Sequence, residues 1–125
     1  MAKVLGIGGV FFKAADPQAV NDWYARVLGF DVSKWGGATW AHPAVGQSTW
    51  SVHPATSDYY EPSTAPFMVN FIVDDLAGVL AKAKSEGAEP VGEPVDDVYG
   101  RFGWLMDPVG VKIELWEPPA DPPEA

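Results

Sequence analysis

The sequence predicts an α+β fold made of two tandem β-α-β-β-β modules whose strands curve into a cup-shaped mixed sheet. Three observations carry that expectation. Residues 7–30 (IGGVFFKAADPQAVNDWYARVLGF) and 66–88 (PFMVNFIVDDLAGVLAKAKSEGA) each run from an apolar stretch through Asp into a helical pattern closing on glycine, Gly29 or Gly87. The match resumes downstream, where HPAVGQSTWSVHP (42–54) aligns with DPVGVKIELWEP (107–118), Gly46 over Gly110 and Trp50 over Glu114. A unit of about 60 residues is too long for a solenoid repeat and suits a pseudo-twofold pair. Finally, strand-like runs cluster after each helix instead of alternating with helices, which argues against a doubly wound sheet.

Along the chain, Gly6–Lys13 reads as a strand. Asp16-Pro17 then supplies an N-cap acid followed by proline in the first turn. Val20, Trp23, Tyr24 and Val27 share one helical face, and Leu28-Gly29-Phe30 ends the helix. Three short strands are expected near 31–35, 38–42 and 47–53, separated by Gly36-Gly37 and the Pro43–Gly46 turn. These elements make a first module over residues 1–56, and residues 57–66 link it to a second over 67–118. There the expectation is a strand at 67–73, an Asp74/Asp75 cap and a helix over 76–86 with Leu76, Val79, Leu80 and Ala83 buried. Strands near 89–91, at 101–106 and at 111–117 follow. The segment 119–125 is proline-rich and acidic and is expected to be a disordered tail.

Placing the last turn at Asp107–Gly110 pairs Met106 with Val111 and Gly103 with Glu114. Opposed residues share a sheet face. Phe102, Trp104, Met106, Val111, Ile113 and Leu115 would then pack under the helix. Arg101, Gly103, Leu105, Lys112, Glu114 and Trp116 would line the cup.

With 125 residues, 47% of them hydrophobic, and six tryptophans, the chain has enough apolar surface for one compact core. It has no cysteine, which excludes disulfides, thiolate metal sites and cysteine nucleophiles. A net charge of −9 argues against nucleic acid as a partner and favours a cationic ligand over an anionic one. No run is long enough to span a membrane and no secretory signal is visible, so a cytoplasmic location is expected. Dinucleotide, P-loop and nucleophile-elbow patterns are all missing.

The repeated modules, the segment DPQAVNDWYARVLGF and the segment DPVGVKIELWEP resemble the vicinal oxygen chelate superfamily. That group includes glyoxalases, bleomycin resistance proteins and extradiol dioxygenases, and the resemblance runs from about Gly6 to Pro118. It implies a homodimer. It also implies, for metal-using members, one ligand near the start of each first strand and one in each last strand. Carried onto this chain, those positions are Gly9, Trp50, Met68 and Glu114. Only Glu114 suits a divalent metal, so no metal and no cofactor are expected and the chain reads as an atypical member. His42 and His53 could supply ligands elsewhere or serve as ordinary turn residues.

Glu114 is the candidate catalytic residue, as a general base in a partly apolar cup. Alternatively it is a salt-bridge partner of Arg101 or Lys112, or a vestige of a metal site. Candidate ligand-binding residues are Phe11, Trp50, Met68, Asn70, Tyr99, Arg101 and Trp116. The aromatics offer stacking faces, Asn70 an amide in an apolar strand, and Arg101 a cation between two glycines. Trp23, Tyr24 and Trp104 are assigned to the core. The leading functional expectation is metal-independent binding of a small apolar or aromatic, possibly cationic, molecule. The alternative is a lyase, isomerase or dioxygenase of the vicinal oxygen chelate type, either with atypical metal ligands or metal-free with Glu114 as base.

Overall fold

A computed structural model describes residue 3 and residues 7–120. The positions outside that set include Gly6 of the expected first strand and 121–125 of the expected tail. The first regular element is helix α1 (Pro17–Leu28). Asp16 caps it by accepting from the Ala19 N–H at 3.1 Å, and Gly29 ends it in the left-handed conformation at φ 72°. The second module then forms in the expected β-α-β-β-β order. It comprises β1 (Val69–Ile72), α2 (Leu76–Ser85), β2 (Val95–Asp97), β3 (Gly100–Met106) and β4 (Lys112–Glu117). Asp75 caps α2 through the Gly78 N–H at 3.1 Å, and the Glu117 carboxylate takes the Leu76 N–H at 2.9 Å.

The four strands lie in the order β1-β4-β3-β2, with β1 parallel to β4 and the other pairs antiparallel. Two details differ from expectation. The segment near 89–91 contributes only a bridge from Pro90 to Leu105, and the acidic Val95–Asp97 run forms the edge strand instead. Gly92, at φ 68°, breaks what would otherwise be one continuous strand.

The hairpin register is also one residue away from the expected one. Met106 pairs with Lys112, Trp104 with Glu114 and Gly103 with Leu115. The Asp107 N–H closes onto the Val111 carbonyl at 3.0 Å, so the loop is the three residues Pro108-Val109-Gly110, with Gly110 at φ 84°. A three-residue loop ending in a left-handed glycine is a common hairpin geometry. It exchanges the two faces of β3 relative to β4. Leu105, Ile113 and Leu115 therefore lie under the helices with Gly103, while Phe102, Trp104, Met106, Lys112, Glu114 and Trp116 share the open face. Trp104 is thus corrected from the core to the cup side. Arg101, Gly103 and Leu105 move the other way.

The core joins both halves of the chain: Tyr24 and Val27 of α1 pack with Leu76 and Ala83 of α2 and with Leu105, Ile113 and Leu115. Tyr24 also donates to Asp107 Oδ2 at 2.7 Å within this buried region. Among the described residues of the first half, α1 is the only regular element, and the strands expected at 7–13, 31–35, 38–42 and 47–53 run as extended or turn-rich chain. Strand propensity is realised only against a paired edge and a covered face. Here Phe11, Trp50 and Val52 remain 80–89% exposed, and glycines interrupt the runs at 8–9, 36–37 and 46.

Burial, reinforced by the Asp107 hydrogen bond and charge, raises the Tyr24 phenol well above its ordinary 10.0. The folded chain therefore keeps a proton that the unfolded chain releases near pH 10, and this stabilisation is lost as pH rises beyond that point. Between pH 10 and 11, urea unfolding should show the stability advantage of wild type over Tyr24→Phe shrinking by about 1 kcal/mol. Parallel losses in both proteins would contradict that assignment.

Candidate functional site

Two adjoining features make up the site: an open cleft and, beside it, a partly buried polar cluster. The cleft has a volume of about 1260 Å³ and follows the free edge of β1, between that strand and the first-half segments 7–11 and 40–55. Phe11, Trp50, Met68, Asn70 and Trp116 line it, together with Trp40 and Tyr60. Five of the seven candidate ligand-binding residues are thus brought together. The Trp116 ring lies nearly parallel to Phe102, 15° between planes, and its indole N–H donates to the Tyr99 carbonyl at 2.8 Å.

Tyr99 acts there through its backbone; its side chain is exposed and lies outside the cleft lining. Arg101 is not in the cleft either. The register sends it to the helix side, where it pairs with Asp96 at 3.4 Å and Glu117 at 4.0 Å. Neutralisation of Glu114 by Arg101 is therefore corrected.

Glu114 is 8% exposed and sits behind the cleft lining. Its Oε1 accepts from Asn70 Nδ2 at 2.8 Å, and its Oε2 accepts from Trp104 Nε1 at 2.9 Å and from the Tyr59 hydroxyl. Three neutral donors from a linker, β1 and β3 thus converge on one carboxylate, which satisfies a charge that would otherwise be costly to bury. Asn70 belongs to both features, because it lines the cleft and bonds Glu114.

Lys112, two residues before Glu114 on the same strand face, makes no ion pair with it within 4.0 Å. Its Nζ donates to the Tyr59 carbonyl at 2.6 Å and lies 5.1 Å from the Tyr59 ring centroid and 5.7 Å from that of Trp104. Desolvation lowers the Lys112 pKa, while the charges of Glu114, Asp58 and Glu61 oppose that shift. The Tyr59 phenol is raised, first by burial and then by its bond to Glu114 and the charge there.

Sequence reasoning named neither Tyr59 nor Trp104 as a ligand-binding candidate, and it gave Lys112 only a place on the cup face as a salt-bridge partner of Glu114. The visible signal was Asp-Pro-Val-Gly, whose glycine permits a three-residue loop that brings Trp104 opposite Glu114. Tyr59 comes from a 57–66 linker whose course over the sheet no periodicity foretells.

These residues do not fit a metal centre. Glu114 uses both oxygens on protein donors, Gly9 and Trp50 offer no ligand atom, and Met68 is a soft thioether. Among the described residues no group of three His, Asp or Glu side chains gathers as a ligand set. His53 instead lies beside the Tyr60 ring, tilted 37° to it, with 5.3 Å between centroids. No helix among the described residues is long and apolar enough to cross a membrane.

The glyoxalase-like domain family model matches residues 9–116. Among solved structures, TioX from Micromonospora sp. ML1 is 21% identical, with 86% of this chain and 92% of that one covered and a TM-score of 0.53. TnmS3, an antibiotic binding protein from Streptomyces sp. CB03234, is 23% identical over 84% of this chain and 88% of that one, with a TM-score of 0.52. A glyoxalase/bleomycin resistance protein/dioxygenase superfamily member from Sphaerobacter thermophilus DSM 20745 is 20% identical over 83% and 90%, with a TM-score of 0.50. At these identities the structural likenesses establish the fold. No curated protein matches by sequence.

Proposed function

This chain belongs to the glyoxalase-like domain family, and from that premise we propose that it binds a small apolar or aromatic molecule in the β1-edge cleft without using a metal. The observation that carries the reading is the cleft lining. Phe11 and Trp50 stand 89% and 83% exposed, facing a cleft that Trp40 and Trp116 also line, with Asn70 as a polar handle beside them. A concave apolar surface with few convergent polar groups is the usual form of a small-molecule site. Aromatic rings add stacking to area burial. The antibiotic binding named for TnmS3 supports the same reading by analogy of fold.

The enzymatic alternative draws less support. Glu114 faces its three donors and not the cleft, so a general base there would need the cluster to open first.

Tryptophan quenching against planar polycyclic antibiotics and simpler neutral aromatics tests the proposal. Saturable quenching without chemical change of the ligand is expected. Trp50→Ala should weaken that binding about tenfold. Because Trp50 is so exposed, the same change should shift stability by no more than about 0.5 kcal/mol. Unchanged affinity in this variant, or consumption of the bound compound, would count against the reading.

A further inference from the structure

We propose that Tyr59, Trp104 and Glu114 form a cage for an ammonium group, and that Lys112 fills it from within the chain and so keeps free cations away from the buried Glu114 carboxylate. The cage stands independently of the cleft reading above.

The geometry is that of a recognition site with its occupant tethered in place. Two aromatic rings lie 5.1 and 5.7 Å from Lys112 Nζ, within the distance at which an ammonium is held by ring quadrupoles. The Tyr59 carbonyl accepts one of its protons at 2.6 Å, and the charges of Glu114, Asp58 and Glu61 all favour a cation at that point. Lys112 itself is 8% exposed, an unusual degree of burial for lysine outside a paired site. Removal of the ammonium would leave a pair of ring faces, a carbonyl and a buried carboxylate with no cation among them.

A tethered group competes at an effective concentration on the order of millimolar or more. A free organic cation at micromolar levels therefore does not displace it. Asn70 connects the cage to the cleft, the Glu114 oxygens are taken by Asn70, Trp104 and Tyr59, and Lys112 compensates that charge from beyond ion-pair distance. A net charge of −9 draws cations toward the protein surface, yet this arrangement withholds the buried carboxylate from them.

Replacing Lys112 with methionine keeps most of the stem and vacates the ammonium position, since the methionine side chain ends one atom short of Nζ. Ammonium chloride should then raise the melting temperature of Lys112→Met by about 4 °C at ten times its Kd. Methanol and sodium chloride at equal concentrations should not, and wild type should respond to none of the three. Lys112→Ala vacates more of the stem and should prefer n-propylammonium over methylammonium.

Adding Glu114→Gln to either variant should abolish the rescue. If Lys112→Ala does not fold alone, recovery of its far-ultraviolet circular dichroism on adding n-propylammonium counts as rescue, and the methionine variant decides independently. The cage is overturned if neither variant responds to its amine beyond the salt control, or if wild type responds equally. The cleft reading fails separately, through loss of neutral aromatic binding in wild type.

Discussion

Asp107→Ala is expected to lower stability by about 4 kcal/mol, seen as a fall of roughly 12 °C in melting temperature. The carboxylate is 7% exposed and serves three donors at once. Its Oδ2 takes the Tyr24 hydroxyl at 2.7 Å, and its Oδ1 takes the N–H groups of Val109 at 2.9 Å and Val111 at 2.8 Å. Alanine would leave a buried phenol and two turn amides without an acceptor, and each unsatisfied group costs about 1–3 kcal/mol.

The loss is also topological. Tyr24 lies on α1, and Asp107 closes the β3–β4 hairpin, so one side chain fastens the first-half helix to the second-half sheet. Asp107→Asn keeps one acceptor oxygen and should cost about half as much. A Tyr24→Phe/Asp107→Ala double mutant should be less destabilised than the sum of its parts, because both changes remove the same bond. Thermal denaturation of the four proteins measures this directly, and additive losses would show that the two residues act separately.

Glu114→Ala should cost about 3 kcal/mol of stability while changing the affinity of the cleft for a neutral aromatic by less than about threefold. The stability loss follows from what the carboxylate holds. Without it, Tyr59, Trp104 and Asn70 lose an acceptor, and the ammonium of Lys112 loses a compensating charge. Breaking one partner of a buried charged cluster is far more destabilising than replacing the whole cluster. Glu114→Gln combined with Lys112→Met should therefore be more stable than the sum of the two single losses predicts. The affinity should persist because Glu114 lies behind the cleft lining, with Asn70 between them. Abolished binding in a folded Glu114→Ala protein would move Glu114 into the ligand site and revive a catalytic role for it.

These expectations divide the chain by how local their causes are. Both helices were legible in the sequence because their signals are local: Asp16-Pro17 and Asp75 for the starts, Gly29 for one end, and stripes at 3.6-residue spacing for the buried faces. The order of elements in the second module was equally legible. The matching family model covers most of the same span.

What only the tertiary structure decided was register and partnership. The hairpin loop has three residues and not four, a difference of one position that moved Trp104 to Glu114 and sent Arg101 to the opposite face. Periodicity alone cannot fix that choice, because alternation reads equally well when shifted by one. Likewise, Tyr59 reaches Glu114 across 55 positions of sequence, and Tyr24 reaches Asp107 across 83. The first-half strands depend on an edge and a covered face that their own residues do not supply. A sequence states what each segment favours by itself, whereas the partner of a buried polar group is set by how separate segments close together in space.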